Sequence, residues 1–422
     1  MQPRHASTRH TVNQPLPRPF VRLAWANLAA QAAEQLSLAA VPIVAVLALG
    51  AGPGEIGALA TAQTLPFLLL SIPFGLLADR RSRRGLMVAS ETLRALSLMG
   101  LLVVSLTGQL SMAWLALLGF IGATGTVGFS VAAPALVPSL VPRAMLGAAN
   151  GRLELARSAA FAAGPALAGA LVAWAGAPAA FVLATMLSAA ALAALWGLHE
   201  GRREPAPPRH VLLELKDGAA FVWGHEYLRP ILLTAVAWNI AWFVLQAAYV
   251  PHAVGTLGLS ASGVGLTLAC YGAGMVAGAL AAPRVMRALS YGHAVIVGPL
   301  FSVAAALVMV GTLYWHSGAL AALSFFLFGF GPIVWTISST TLRQTVTPSP
   351  MLGRVTAMFL AANMGARPIG AALGGVVGAH GGAAACLWLA AAGFIVQALF
   401  ITASKVRSLA VLPTPAQLQG AL

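Results

Sequence analysis

Apolar runs long enough to cross a membrane dominate this sequence. The chain has 422 residues, of which 59% are hydrophobic and 8% are charged. A helix of about 20 apolar residues crosses the ~30 Å hydrocarbon layer of a bilayer, because each residue adds about 1.5 Å. Hydropathy predicts twelve such runs, at residues 21–49, 55–78, 85–107, 111–137, 147–174, 177–197, 229–252, 260–282, 291–312, 317–342, 352–378 and 382–403. The sequence therefore predicts an all-α membrane protein surrounded by the lipid bilayer.

The positive charges predict how these helices are oriented. Lys and Arg lie in alternate loops, whereas the loops near 50–54, 108–110, 175–176, 253–259, 313–316 and 379–382 contain neither. Because cytoplasmic loops are enriched in Lys and Arg, we expect both termini in the cytoplasm. Heavy use of Ala and Arg suggests a bacterial source, hence the bacterial cytoplasmic (inner) membrane. The net charge is +14, but the Arg and Lys residues that produce it flank the apolar segments and form no basic domain. We therefore expect no nucleic-acid partner.

The two halves of the chain repeat each other. A shift of 206 residues places residues 164–169 (GPALAG) on residues 370–375 (GAALGG). A similar shift matches Asn27 and Glu34 with residues of the same spacing in the second half, Asn239 and Gln246. Such a repeat predicts two pseudo-symmetric bundles of six helices each. The predicted segments are a tail (1–20), a first bundle (21–197), a cytoplasmic linker with an interfacial helix (198–228), a second bundle (229–403) and a tail (404–422).

A short charged loop separates the second and third predicted helices. Residues 75–84 read GLLADRRSRR and carry five charges in six consecutive positions, 79–84. This pattern, G-x-L-x-D-R-x-x-R-R, resembles the signature loop of the major facilitator superfamily. The alternative is a basic loop that serves only as a topology signal. Residues 345–355 and 369–375 resemble the enterobactin-exporter and macrolide-efflux branch of that superfamily.

The resemblance implies a secondary transporter whose charged loop gates the cytoplasmic side. Asp79 would pair with an Arg and with the start of the eleventh helix near Gly353 and Arg354, and Gly75 would allow close helix packing. We expect Glu91, Arg94 and Glu154 to form an ion-pair network that supports the loop. The predicted gate residues are Gly75, Asp79, Arg80, Arg83, Arg84, Glu91, Arg94 and Glu154.

A second motif implies the direction of transport. Residues 164–169 resemble the G-P-x-x-G-G motif of exporters, with Gly164, Pro165 and Gly169 matching and Ala168 replacing a glycine. The alternative is ordinary packing of small residues. The fourth predicted helix lacks the Arg of the R-x-x-x-G motif of proton antiporters. Any proton coupling would therefore depend on a carboxylate in another helix.

Polar side chains deep within helices are the candidates for a substrate cavity. Asn27, Gln31 and Glu34 share one face of the first helix, and Glu34 lies roughly 18 Å past Arg22. A carboxylate at that depth must be paired, protonated or exposed to water, so Glu34 is the predicted proton site. Arg367 is also deep, and no acidic residue follows Glu226. The predicted cavity residues are Asn27, Gln31, Glu34, Asn239, Trp242, Gln246 and Arg367. The alternatives are a Glu34 hydrogen-bonded for packing, an Arg367 that reaches the membrane surface, and aromatic packing in the seventh helix.

These features predict a proton-driven exporter of a small organic molecule, such as a drug, siderophore or metabolite. We expect a monomer without cofactor or metal. We also expect no enzymatic activity, because the sequence contains no nucleophile–base set, metal cluster or phosphate loop. The alternatives are a metabolite importer of the same fold and a transport-dead relative that acts as a sensor or lipid-handling protein.

Overall fold

The computed structural model describes residues 16–142, 145–198, 211–348 and 350–413. The predicted tails lie largely outside these ranges. Eleven helices form the described chain: α1 (Arg18–Leu49), α2 (Pro53–Arg80), α3 (Arg83–Leu106), α4 (Met112–Leu140), α5 (Leu146–Trp196), α6 (Val211–Gly224), α7 (Leu228–Gly255), α8 (Ala261–Ala288), α9 (Tyr291–Gly311), α10 (Gly318–Val346) and α11 (Leu352–Thr402). Among the described helices, all except α6 are long and apolar enough to cross a membrane, which makes ten. The prediction of an all-α, multi-pass membrane protein is confirmed.

Helix α5 folds back on itself. It has 51 residues and would extend about 76 Å if straight, more than twice the thickness of the hydrocarbon layer. Its interior contains Gly176 at φ 76°, a conformation that glycine adopts without steric cost. Ala149, near the start of α5, and Leu195, near its end, pack into one core cluster with Leu23 of α1. The two arms of α5 therefore lie side by side.

Helix α11 repeats this arrangement in the second half. It also has 51 residues and contains Gly382 at φ 66°. Phe359, near its start, and Ile401, near its end, belong to one core cluster. The predicted loops at 175–176 and 379–382 thus lie at the two glycines that reverse the chain.

Each half builds its own core, and the halves meet through equivalent helices. In the first half α1 packs along α5 and α3 along α4; in the second, α7 packs along α11 and α10 along α8 and α9. Between the halves, α5 packs on α8 and α2 on α11. These two interfaces are related by the sequence repeat, and they enclose the space between the bundles.

The predicted linker helix is α6, and it docks on the second half. Val222 of α6 is fully buried in the core cluster of that half. Asp217 Oδ2 accepts a hydrogen bond from Arg354 Nη1 of α11 at 3.0 Å. A side chain on Gly218 would come within 2.6 Å of the Arg354 carbonyl oxygen, so this glycine permits the close approach. The linker helix therefore belongs to the second bundle.

Candidate functional site: the cavities between the two halves

Two adjoining cavities lie between the halves. The central cavity, about 420 Å³, is lined by residues of both halves, including Glu34, Arg94 and Gln246. The arginine cavity, about 470 Å³, is lined by α7 to α11 and by Arg157 of α5. The residues that line both are Arg157, Trp238, Asn239, Tyr271 and Arg367. The two cavities therefore share a wall at the mid-depth of the bundles.

Two carboxylates share one arginine on the first-half side of the central cavity. Arg94 forms an ion pair with Glu91, and its Nη1 lies 3.7 Å from Glu34 Oε2. Arg94 also donates to the Thr126 hydroxyl at 3.3 Å, and the Ser188 hydroxyl donates to Glu91. Glu91 is completely buried, whereas 18% of the Glu34 side chain is exposed. Glu91 therefore fixes Arg94 in place, and Glu34 is the carboxylate that faces the cavity.

This arrangement corrects the predicted gate network. Glu91 and Arg94 were expected to support the charged loop, but they contact Glu34, Thr126 and Ser188 instead. The physical reason is depth, because Arg94 lies ten residues, about 15 Å, beyond the charged loop along α3. Gly125 of α4 permits the contact, since a side chain there would lie 2.3 Å from the Ser90 carbonyl oxygen of α3. Helix α3 thus supplies a buried arginine beside α4, which lacks one.

Glu154 lies in a different environment. It is exposed and accepts a hydrogen bond from Arg157 Nε at 3.0 Å within α5. The guanidinium of Arg157 also lies 5.4 Å from the Phe161 ring centroid, and Arg157 lines both cavities. The Glu154–Arg157 pair therefore reaches the cavities through Arg157 and does not join Glu91.

Arg367 of α11 projects between the two cavities. Its guanidinium carbon lies 5.6 Å from the ring centroid of Phe67 in α2 and 6.0 Å from that of Phe243 in α7. Within the described residues its buried Nε has no hydrogen-bond partner. Aromatic faces stabilise a cation by about 0.5–2 kcal/mol, which is less than burial of an unpaired charge costs. The Arg367 guanidinium can therefore still donate a hydrogen bond to an acceptor.

Helix α7 forms an aromatic wall with amide groups. Trp238 and Trp242 stack with ring centroids 5.2 Å apart, and Tyr271 of α8 lies 5.1 Å from Trp242. Asn239 and Gln246 line the central cavity on the same helix, although Asn239 also donates to the Ala235 carbonyl at 2.9 Å. All three residues predicted for this wall, Asn239, Trp242 and Gln246, therefore line the central cavity.

The predicted polar face of α1 is only partly in the cavity. Neither cavity is lined by Asn27 or Gln31, so the structure does not support that part of the prediction. Asn27 is buried, and Gln35 lines the central cavity beside Glu34. A side chain on Gly164 of α5 would come within 2.6 Å of the Gln35 Cβ, so α5 packs closely against this turn of α1.

The charged loop binds helix ends within the first half. Arg84 donates from Nη2 to the Trp196 carbonyl at 2.7 Å, and Arg83 donates to the Ala135 carbonyl. Arg80 is exposed. The side chain of Asp79 lies outside the described residues, so its predicted pairing stays a prediction. The expectation that Gly75 allows close helix packing is wrong for this structure, because a side chain there would meet no atom within 4 Å.

Glycines close the cavities at the end opposite the charged loop, here called the far end. A side chain on Gly57 of α2 would lie 2.2 Å from the Gly375 Cα of α11, and one on Gly169 of α5 would lie 2.9 Å from the Gly265 Cα of α8. Pro165, one turn before Gly169, lines the central cavity. Near the charged loop the arginine cavity is instead bordered by exposed Thr356. The cavities are therefore shut at the far end, and the arginine cavity extends toward the other end.

Several cavity residues could not be found from the sequence. Arg157 and Arg343 look like part of the positive charge that marks helix ends, and Tyr271 carries no positional signal. Arg343 nevertheless lines the arginine cavity, with its guanidinium 4.7 Å from the Phe359 ring centroid. The absence of acidic residues after Glu226 was the one available hint, because it leaves arginines of the second half without local partners.

Helices that cross the membrane in two similar halves, with shared cavities between them, define a membrane transporter. A family model of the Major Facilitator Superfamily matches residues 23–371, so the chain belongs to that superfamily. The Enterobactin exporter EntS of Citrobacter koseri is 27% identical over 311 residues, which are 72% of each chain.

Solved structures share the fold. A bacterial homologue of the iron transporter ferroportin, in an inward-facing state, aligns with a TM-score of 0.72 at 17% identity and covers 92% of this chain and 99% of its own. A D-xylose-proton symporter aligns with a TM-score of 0.71 at 16% identity and covers 94% and 98%. Similarity at these identities describes the fold alone.

Proposed function

We propose that this protein exports small organic molecules by alternating access and that protons drive the export through Glu34. One observation carries the proposal: the central cavity is built from both halves and holds a partly exposed carboxylate, Glu34, 3.7 Å from the buried Arg94. The similarity to exporters supports the direction. A metabolite importer of the same fold is the alternative, and the direction of flux in vesicles separates the two.

The proposal includes twelve membrane crossings with both termini in the cytoplasm of a bacterial cell, in its inner membrane. Each arm of α5 and α11 is long enough to cross the bilayer separately, since Gly176 and Gly382 divide both helices. The charged loop would then face the cytoplasm.

Alternating access requires the far end to open and the opposite end to close. The far end is held by backbone contacts between α2 and α11 and between α5 and α8, at Gly57–Gly375 and Gly169–Gly265. Among the described residues no buried ion pair joins these helices, so opening would separate them without breaking one. At the other end, Arg354 pairs with Asp217 of α6. Closing that end would bring α2 toward α11, where Asp79 can compete with Asp217 for Arg354.

Glu34 is suited to proton coupling because Arg94 does not depend on it. When Glu34 is protonated, Arg94 keeps Glu91 and Thr126 as partners, so the buried guanidinium stays satisfied. When Glu34 is ionised, it faces Arg94 across 3.7 Å. Glu34 can therefore exchange a proton with the cavity while the surrounding structure stays the same.

Proteoliposomes containing a pH-sensitive dye test this proposal. Addition of a transported compound should move protons in wild type, and Glu34→Gln should abolish that movement while the protein remains folded. Glu55→Gln is the matched control, because Glu55 accepts a hydrogen bond from the Gly52 amide at 2.9 Å at the start of α2 and lines neither cavity. Unchanged proton movement in Glu34→Gln would reject the coupling role of Glu34.

A further inference from the structure

The arginine cavity is positively charged. Arg157, Arg343 and Arg367 line it, and among the described residues no Asp or Glu does. The sequence explains this composition, because the chain contains no acidic residue after Glu226 and α7 to α11 form most of the wall. Of the three arginines, Arg157 has a carboxylate partner in Glu154. A ligand for this cavity must therefore compensate positive charge.

Aromatic rings are the main neighbours of the other two arginines. The guanidinium of Arg343 stacks near Phe359, and that of Arg367 lies between Phe67 and Phe243. Within the described residues, the Nε atoms of both arginines are buried without hydrogen-bond partners. Planar guanidinium groups bind carboxylates and phosphates with two parallel hydrogen bonds, so both side chains are suited to an oxyanion.

The remaining unpaired polar atoms of the wall point to the same ligand chemistry. Trp238 and Trp335 each have a buried indole N–H without a partner among the described residues, and an indole nitrogen only donates. The amide oxygens of Asn363 and Gln397 are also without partners among the described residues, and Gln397 is only 2% exposed. Since an amide can present either its oxygen or its nitrogen, these groups can donate as well. Four side chains of the wall, Arg343, Arg367, Trp238 and Trp335, therefore carry unpaired groups that can only donate, and the amides can donate beside them.

The shape of the cavity defines the rest of the ligand. Its volume of about 470 Å³ is within the range of sites for drug-sized molecules. Trp238, Tyr271, Trp335 and Phe359 provide aromatic surfaces. Exposed Thr356 and Leu360 border it, so a molecule can enter at the end that carries the charged loop.

We propose that the arginine cavity binds amphipathic organic anions, with a carboxylate or sulfonate on Arg343 or Arg367 and a planar aromatic body against the tryptophans. The inference deepens the proposed function, on which it rests, because it identifies the chemical class of the molecule that is loaded before export. Anions should bind there more tightly than neutral or cationic molecules of the same shape.

A matched series of ligands tests the charge preference in the purified full chain. The series is 1-naphthoate, 1-naphthalenemethanol and 1-naphthylmethylamine, which share one ring system and differ in the charged group. Isothermal titration in nanodiscs of phosphatidylcholine should show saturable binding of 1-naphthoate, with the alcohol and the amine at least tenfold weaker. Equal or tighter binding of the amine would overturn the proposal, and this comparison needs no variant to fold.

Variants then locate the site. At least one of the two variants Arg343→Gln and Arg367→Gln should weaken 1-naphthoate binding about tenfold and leave binding of the amine unchanged or tighter. Arg284→Gln is the control, because Arg284 is exposed on α8 and, within the described residues, donates only to the Leu280 carbonyl of its own helix. Wild-type affinity in both cavity variants would refute the site. If either variant fails to fold, Trp335→Phe, which removes one donor, should still weaken 1-naphthoate more than the alcohol.

The anion-site proposal and the export proposal can be refuted independently of each other. Equilibrium binding requires neither a gradient nor a conformational cycle. Selective binding of 1-naphthoate without its export from vesicles would uphold the anion site and contradict export. Export of other compounds by a protein that does not bind 1-naphthoate would uphold export and contradict the anion site.

Discussion

Substitution of Gly57 by alanine should open the far end of the transporter. The added Cβ would lie 2.2 Å from the Gly375 Cα, 2.3 Å from the Gly375 nitrogen and 2.9 Å from the Ala371 carbonyl oxygen. Ordinary contact begins at 3.4 Å, so α11 must retreat by more than 1 Å along this interface. All three neighbours are backbone atoms, which cannot rotate away as a side chain does.

The size of the effect follows from the cost of overpacking. Forcing an extra carbon into a packed interface costs about 1–3 kcal/mol. In the proposed cycle only the state closed at the far end has this contact, so the cost would shift the equilibrium between the two states roughly 5- to 150-fold toward far-end opening. Gly375→Ala should act in the same direction but more weakly, because its Cβ would lie 3.3 Å from its nearest neighbours.

Cysteine labelling measures this shift. Gln246→Cys, in a background with Cys270→Ser and Cys386→Ser, places one thiol on the wall of the central cavity. A membrane-impermeant maleimide added from the far end should label it several-fold faster in Gly57→Ala than in the parent. Gly255→Ala is the control, since Gly255 lies near the far end of α7 with no atom within 4 Å of an added Cβ. Equal labelling rates in parent and Gly57→Ala would refute the assignment of this contact as the far-end closure.

Three further predictions follow from the buried network, the linker and the charged loop. Glu91→Gln should destabilise the protein by about 3–5 kcal/mol, because it removes the carboxylate that forms the closest ion pair with buried Arg94. In thermal unfolding, Glu91→Gln should therefore have a lower Tm than Glu34→Gln. His225 Nδ1 accepts hydrogen bonds from the Tyr227 and Leu228 amides at 3.1 and 3.4 Å, and burial lowers the pKa of His225 from its ordinary value of 6.5. Since the unfolded chain binds the proton more readily, stability should fall as the pH drops below about 6.5, and His225→Asn should flatten that dependence in melts between pH 7 and pH 5. Asp79→Asn should stop transport without reducing membrane insertion, and near-normal transport would contradict a gating role.

The sequence by itself determined the membrane character, the repeat and the depth of key residues. Whether a segment enters the bilayer depends mainly on its own hydropathy, and the charges beside it favour an orientation, so both are properties of local sequence. The depth of Glu34 and Arg367 follows equally from counting residues along a helix of known rise. The fold class and the family could therefore be predicted before any contact was known.

Only the tertiary structure decided which side chains share a cavity. Asn27 and Glu34 lie on one face of α1, yet Asn27 is buried between helices and of the two only Glu34 lines the central cavity. Arg94 of α3 lies 3.7 Å from Glu34 of α1 although 60 residues separate them in the chain, and Gly125 of α4 lets α3 pack closely against α4. The sequence shows which residues share a face of a helix, but not which other helix packs against that face. Contacts between residues far apart in the chain therefore define the candidate site.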